Sequence, residues 1–257
     1  MADIDTPDLE RRFGGLRRLY GDAAYLRLRA GRVAVVGLGG VGSWAVEALA
    51  RSGVAALTLI DLDHIAESNI NRQVQALGST VGMANAQALM QRVLDIHPGC
   101  RVTAIEEFVD GDNWPALLTE PVDAVIDACD QVRAKLALAV WARATGTSLI
   151  AVGAAGGKQL PQAVAVSDLA DVTHDPLLAS LRQRLRKSHA APRGGRIGLT
   201  CVHSREPVHR PAQAAGDDCA LDGSLNCHGY GSSVGVTATF ALVAASEALR
   251  CLAANAR

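Results

Sequence analysis

Short apolar runs alternate with amphipathic stretches along the first half of the chain. Residues 32–37 form an apolar run rich in β-branched side chains, residues 41–52 carry apolar positions at helical spacing, and residues 55–61 form a second apolar run that ends in Asp61. Runs of this length predict buried strands, and the amphipathic stretch between them predicts a helix. The three segments therefore predict a βαβ unit.

The alternation continues after a polar loop at 62–79. Helical spacing from about Val81 to Ile96 ends at His97-Pro98-Gly99, where proline and glycine stop a helix. The next predicted elements are a strand near 101–106, a weak helix near 112–118, a strand at 122–127, a helix at 131–145 and a strand at 148–152. Strands that alternate with helices predict an α/β fold, a Rossmann-like, doubly wound and mainly parallel sheet.

Beyond Gly153 the pattern is less regular. An apolar alternating run at 160–166 is followed by a basic helical segment at 176–187, and the stretch at about 190–230 predicts a mobile crossover segment. Residues 233–254 predict a helix packed on the sheet, because the uncharged run within them is too short to span a bilayer.

Composition adds a partner class and a compartment. The 257 residues are 49% hydrophobic, enough for a core, and the net charge is −1. Basic residues nevertheless dominate two segments, 11–32 and 182–210. Such segments are typical of a polyanion partner and equally of solvated helix faces. The six cysteines form no C-x-x-C pair, and the first residues lack a signal-peptide pattern, so we expect a reducing cytoplasm.

The first candidate site is the turn between the first strand and the first helix of the βαβ unit. Gly37, Gly39 and Gly42 fit the G-x-G-x-x-G pattern, which lets phosphates approach backbone amides at a helix N-terminus. Asp61, at the end of the next strand, is placed to bind ribose hydroxyls. These features alone favour a dinucleotide, and thus an NAD-dependent oxidoreductase.

Polar residues after Asp61 change this interpretation. Amide and guanidinium groups can bind the phosphates of a triphosphate, and an aspartate after the fourth strand can hold Mg²⁺ on it. The residues concerned are Asp63, Asn69, Asn71, Arg72, Gln73 and Asp130. The alternatives are turn caps for Asp61 and Asp63, a surface ion pair for Arg72 and a helix N-cap for Asp130.

Three longer motifs carry a family resemblance: GLGGVGSW (37–44), DLDHIAESNINRQ (61–73) and VIDACDQVRAK (125–135). With them the chain resembles the ubiquitin-activating-like superfamily of ATP-dependent adenylating enzymes (ThiF, MoeB, HesA). RFGG (12–15), LYG (19–21), GAAGG (153–157) and DPL (175–177) resemble its tRNA threonylcarbamoyladenosine dehydratase branch. The resemblance implies one domain over 1–257, with a helical arm at 1–31, a nucleotide-binding half at 32–155 and a second half at 156–257.

The resemblance also implies a chemistry, in which a carboxylate attacks the α-phosphate of Mg-ATP and is then cyclised with loss of AMP. Gly37, Gly39, Gly40 and Gly42 would line the phosphates, Asp61 the ribose, and Asn69 and Arg72 the phosphate chain. Asp130 would hold the metal, and Arg72 and Asp130 would be catalytic. The implied partners are tRNA, a second copy of the chain and a cysteine desulfurase system, with no membrane. The tRNA contacts would be Arg182, Arg184, Arg186 and Lys187.

The chain departs from the family pattern at several positions. Asn85 stands where the family has a lysine on the triphosphate, and Gly15 replaces the second arginine of an R-x-x-R arm, so Arg17 or Arg18 would reach the partner. Without C-x-x-C pairs we expect no structural zinc. Cys227 is a candidate thiol. The alternative functions are adenylation of a sulfur-carrier C-terminus and, because of Asn85, a non-catalytic nucleotide-binding module.

Overall fold

The strands form a single sheet in the computed structural model, which describes residues 7–209 and 230–254. They are β1 (Arg32–Val36), β2 (Ala56–Ile60), β3 (Arg101–Ile105), β4 (Ala124–Asp127), β5 (Ser148–Val152), β6 (Val164–Asp168) and β7 (Thr200–Ser204). Their order is β3-β2-β1-β4-β5-β7-β6. All neighbours pair in parallel except β6, which is antiparallel to β7 at the edge.

Helices cover both faces of this sheet. They are α1 (Leu9–Tyr20), α2 (Asp22–Ala30), α3 (Gly42–Arg51), α4 (Asn85–Ile96), α5 (Val132–Thr145), α6 (Pro176–Ser188) and α7 (Val234–Ala254). One core cluster joins α3, α4 and α7 to the sheet through residues such as Leu49, Leu89 and Phe240. A second cluster joins α5 and α6 through residues such as Leu138 and Leu181. The predicted doubly wound α/β fold with a helical arm is therefore confirmed.

The strand order reverses between β1 and β4. The chain runs from β1 outward to β2 and β3, then returns to β4 beside β1 and continues to β5. Loops that leave the carboxyl ends of β1 and β4 diverge in opposite directions, which opens a crevice at that edge. The fold thus creates a binding site where the predicted phosphate turn lies.

Three predicted elements differ in the structure. The helix expected from Val81 begins at Asn85, because residues 81–84 turn and Ala84 bridges His64. The weak helix predicted near 112–118 is wrong: this segment forms turns, started by the Asp110 carboxylate, which accepts from the amides of residues 112 and 113. In the run at 160–166, residues 161–163 form a 3₁₀ turn and the strand starts only at Val164.

The basic segment at 11–32 is largely engaged within the chain. Arg12 donates to the carbonyl oxygens of residues 95 and 96 at the end of α4. Arg29 contacts the carbonyl oxygen of Gly53 and lies 3.0 Å from His97 Nε2. Arg17 pairs with Glu10 and Asp22 inside the arm itself. Charge in this segment therefore attaches the arm to the sheet domain, and it is weak evidence for a polyanion.

By length and composition, α7 is one helix among the described residues that could cross a membrane. It packs against α2, α3 and the strands from β4 to β7, and Phe240, Ala244 and Ala248 are fully buried there. A core helix passes the same composition test, so its burial explains its apolar character.

Candidate functional site

A cavity of about 420 Å³ opens at the carboxyl ends of the central strands. Its lining brings together most of the sequence-predicted residues, namely Gly37, Gly39, Gly40, Asp61, Asp63, Asn69, Arg72, Gln73, Asn85 and Asp130. Ligand sites of α/β sheets lie at this edge, and the volume falls within the usual range for small-molecule pockets. Residues far apart in the chain therefore form one site.

The glycine turn forms the floor of the cavity. Gly37 has a φ of +82°, and a Cβ there would press on the backbone of Cys129. A Cβ at Gly42 would overlap the carbonyl oxygen of Gly37. Gly42 is thus required for packing between helix and strand and does not itself line the cavity, whereas the Gly39 side of the turn is open to it.

Asp61 joins the glycine turn to the loop after β2. Its Oδ2 accepts from the amide of Leu38 at 2.5 Å, and its Oδ1 accepts from the amide of Asp63 at 2.7 Å. Burial raises the pKa of Asp61, and the two backbone donors act against that rise. The carboxylate therefore acts as a turn cap, one of the alternatives left open by the sequence, and it still faces the cavity.

Arg72 lies across the glycine turn and is only 9% exposed. Its Nη1 donates to the carbonyl oxygen of Ser68 at 2.6 Å and to Asn71 Oδ1 at 2.9 Å, so one side of the guanidinium is held by its own loop. No ion pair of Arg72 occurs among the described residues, and the surface-pair alternative fails there. A held guanidinium that lines a cavity is suited to binding an anion.

Neighbouring amides in this loop have separate tasks. The Oδ1 of Asn69 accepts from the amide of Ala66 at 2.8 Å, which shapes the 3₁₀ turn at Glu67–Asn69. The Nδ2 of Asn71 donates to the carbonyl oxygen of Ser232, and Asn71 lies outside the cavity lining. Asn71 thus connects the loop to the start of α7, while Asn69 and Gln73 line the cavity.

Asn85 is the first residue of α4, is 2% exposed, and belongs to a cluster of side-chain amides. Its Oδ1 accepts from Gln75 Nε2 at 3.0 Å, and its Nδ2 lies 3.4 Å from Asp61 Oδ1. The same Gln75 nitrogen lies 3.0 Å from Gln73 Oε1. Neutral donors therefore occupy the place beside Asp61 where the family resemblance implies a cation.

Sequence reasoning did not assign two further walls of the cavity to the site, although one of them overlaps the GAAGG motif at 153–157. Glu107, Phe108 and Val109 follow β3, and residues 153–156 follow β5. Both segments come directly after predicted strands, so the rule that carboxyl ends share one sheet edge was the signal that could have found them. They give the site one side that carries Phe108 and Val109 and one side of small, buried or half-buried residues at 153–156.

Asp130 lies in the loop between β4 and α5, and the N-cap of α5 is Gln131. Within residues 7–209 and 230–254 no group of three or more His, Cys, Asp or Glu could hold a metal. The oxygen donors of Asp130 and Asp63 nevertheless suit Mg²⁺, which takes one or two carboxylates and completes its shell with phosphate and water.

The four basic residues predicted on α6 divide into two pairs. Arg182 donates to the carbonyl oxygens of residues 169 and 172, and Arg186 donates to that of Pro192. Arg184 and Lys187 are exposed. The second pair is free to contact a partner with its exposed side chains, whereas the first pair is half-buried and engaged in holding loops. Cys227 lies outside the described residues.

Comparison with known proteins supports a nucleotide site. The profile of the ThiF family matches residues 12–257. The chain is 42% identical over 265 residues to tRNA threonylcarbamoyladenosine dehydratase of Escherichia coli (strain K12), covering 100% of this chain and 98% of that protein. The crystal structure of E. coli TcdA in complex with ATP superposes with a TM-score of 0.86 at 40% identity over 97% of both chains. The AMP complex gives the same TM-score and identity, over 98% of this chain and 97% of that one.

Proposed function

The chain belongs to the ThiF family, and from that premise we propose that it catalyses ATP-dependent dehydration of threonylcarbamoyladenosine at position 37 of tRNA. One observation carries the proposal: the whole chain, and not its nucleotide-binding half alone, matches the E. coli dehydratase in sequence and in fold. The polar and charged groups that line the cavity support the same proposal.

The asymmetry of the cavity supports one orientation of the nucleotide. Asp61 follows β2 and would accept from the ribose hydroxyls, and the adenine would lie beyond it against Phe108 and Val109. The triphosphate would then cross the glycine turn toward Arg72, at the N-terminus of α3, where amides and the helix dipole favour negative charge. The substrate carboxylate would approach from the β5 side, which residues 153–156 line.

Adenylation follows from these positions. A carboxylate oxygen attacks the α-phosphorus, the bond from that phosphorus to the bridging oxygen breaks, and pyrophosphate leaves with both bond electrons. Arg72 would stabilise the charge that develops on the phosphate oxygens, as preorganised cations do in buried sites. Mg²⁺, when bound to Asp130 and the phosphates, would supply charge neutralisation.

Ring closure completes the dehydration. An internal nucleophile of the carbamoyl group attacks the acyl carbon, loses its proton and expels AMP. The AMP keeps one oxygen of the original carboxylate, so the nucleoside loses the elements of one water. Because the attack is intramolecular, the enzyme contributes mainly by holding the adenylate in a reactive orientation.

An oxygen-18 experiment tests this sequence of bonds. The protein is incubated with Mg-ATP and tRNA whose threonylcarbamoyl carboxylate carries oxygen-18, and the AMP and the nucleoside are analysed by mass spectrometry. Labelled AMP together with a dehydrated nucleoside is expected. Unlabelled AMP or formation of ADP would refute the mechanism. AMP formed only with a sulfur-carrier protein would favour that alternative, and ATP binding without AMP would favour a binding module.

The partners extend the proposal. Arg184 and Lys187 would contact the tRNA backbone. A second copy of the chain would cover Leu19 and Leu26 of the arm, which are 73% and 60% exposed. Light scattering at micromolar concentration tests the dimer, and a monomer would refute it. The cytoplasmic location and the cysteine desulfurase system stay predictions.

A further inference from the structure

Lys135 is a fully buried lysine outside the cavity lining. From α5 its Nζ donates to three oxygens: the Asp127 carboxylate at 3.0 Å, the Asp127 carbonyl at 3.2 Å and the Val152 carbonyl at 2.7 Å. Burial is the largest influence and lowers the pKa of Lys135, but the charges of Asp127 and its other acidic neighbours, together with the hydrogen bond to Asp127, outweigh burial, so the pKa lies above its usual value. The ammonium is therefore protonated.

These three contacts join the carboxyl ends of two strands. Asp127 is the last residue of β4 and Val152 is the last residue of β5. The segments that follow, 128–131 and 153–156, form neighbouring parts of the cavity wall. Asp127 and Ala151 are already paired in the sheet, and the ammonium group adds a side-chain link at the points where the Asp130 loop and the wall on the β5 side begin.

A second buried charge holds the β5 side from the opposite direction. Asp175, at the N-cap of α6, accepts from the Ala154 amide at 2.9 Å and from the Leu178 amide at 2.9 Å. A Cβ at Gly153 would overlap the Asp175 carboxylate. The backbone from Val152 to Ala154 is therefore fixed on both sides, by Lys135 and by Asp175.

Stability alone does not explain the buried pair of Lys135 and Asp127. Apolar residues of similar size would lose the bonds that the Asp127 carboxylate accepts from the Cys129 amide and thiol, but they would avoid the cost of desolvating two charges, and such replacements are often neutral or stabilising. Moreover, Asp127 Oδ2 is buried with no hydrogen-bond partner among the described residues, which is a further cost. What the charged pair adds is a directed link between two strand ends.

We propose that Lys135 is a positioning residue for adenylation, which holds the Asp130 loop and the 153–156 wall at the separation that the reaction needs. This inference rests on the proposed function. The nucleotide would bind to the glycine turn and Asp61, which Lys135 does not touch, so removal of the link should impair the chemical step more than AMP binding. A shift of about 1 Å in a reacting group can cost on the order of a hundredfold in rate.

The test replaces the charged pair with apolar residues, Lys135→Met with Asp127→Leu. The control, Arg32→Met with Asp123→Asn, removes an ion pair that joins β1 to the segment just before β4. This pair lies at the amino ends of the two strands, away from the cavity at their carboxyl ends. We expect the test variant to fold, to bind AMP within about threefold of wild type, and to dehydrate tRNA at least about tenfold more slowly in single turnover at saturating ATP. The control should keep the wild-type rate.

Amide hydrogen exchange adds a readout that does not depend on activity. Exchange should become faster in 127–131 and in 152–156 of the test variant and stay unchanged elsewhere in the sheet. If the apolar pair does not fold, Lys135→Gln with Asp127→Asn keeps neutral hydrogen bonding and should show both effects at smaller size. Unchanged rate and exchange in a folded variant would overturn the inference, as would an equal loss of rate and AMP binding. Lack of dehydration by the wild type would instead refute the proposed function, while exchange still tests the link.

Discussion

Substitution of Asn85 by lysine is the most informative single change in the candidate site. The residue lies at the first position of α4, faces the cavity and contacts Asp61 and Gln75. Lysine has a longer side chain, and it can direct its ammonium past this amide cluster into the cavity. The substitution thus restores a cation at the position where the family resemblance implies one.

The size of the effect follows from two contributions. A charge-assisted hydrogen bond to a phosphate contributes about 1.5–3 kcal/mol, which corresponds to about ten- to a hundredfold in turnover if the bond is stronger in the transition state. The lost amide bonds to Gln75 and Asp61 are neutral or long, and we expect them to cost about 1 kcal/mol of folding stability. Asp61 offers the new ammonium a partner before ATP binds, since its carboxylate lies beside position 85.

The assay is single-turnover dehydration of modified tRNA at saturating Mg-ATP, with the Kd of ATP measured by calorimetry. Gln91→Lys is the control, because it places the same charge on an exposed position of the same helix. We expect Asn85→Lys to increase the rate about tenfold or more and the control to leave it unchanged. An unchanged rate for Asn85→Lys would mean that position 85 does not act on the phosphates, and an equal increase in both variants would attribute the effect to net charge.

Three further predictions concern the glycine turn, the arm and the tRNA surface. Gly42→Ala should lower the free energy of unfolding by at least about 2 kcal/mol and weaken ATP binding, because the added Cβ would overlap the carbonyl oxygen of Gly37. Gly78→Ala, with open space around it, should do neither. Equal denaturation midpoints for the two variants would contradict this. Burial lowers the pKa of His97 to about 4. Between about pH 6.5 and pH 4 this histidine is therefore protonated in the unfolded chain only, and the free energy of unfolding should fall by about 1.4 kcal/mol per pH unit as the pH is lowered. His97→Gln should remove this contribution, and identical pH profiles of stability for the variant and the wild type would refute the assignment. Arg184→Ala with Lys187→Ala should reduce the slope of log Kd for tRNA against log salt by about 1.5 without changing ATP binding, and an unchanged slope would place the tRNA elsewhere.

Much of the fold and part of the site were predictable because their causes are local. The apolar runs at 32–37 and 55–61 predict strands from a few adjacent residues, and the glycine turn is defined by backbone geometry within six residues. Asp61 and Asp130 could be assigned to one sheet edge because parallel strands end on the same side. The helix near 112–118 was predicted from a weak pattern, and the Asp110 carboxylate caps turns there instead.

Only the tertiary structure decided what each charged or polar side chain does. Charge counts grouped Arg182 with Arg184, yet Arg182 holds two backbone carbonyls that are 10 to 13 residues distant in sequence. The sequence by itself determined a Rossmann-like sheet with a phosphate turn, since periodicity and glycine spacing act over short distances. The partners of Asn85 and the link made by Lys135 depend on strand order, which brings distant segments together, and no local pattern encodes those contacts.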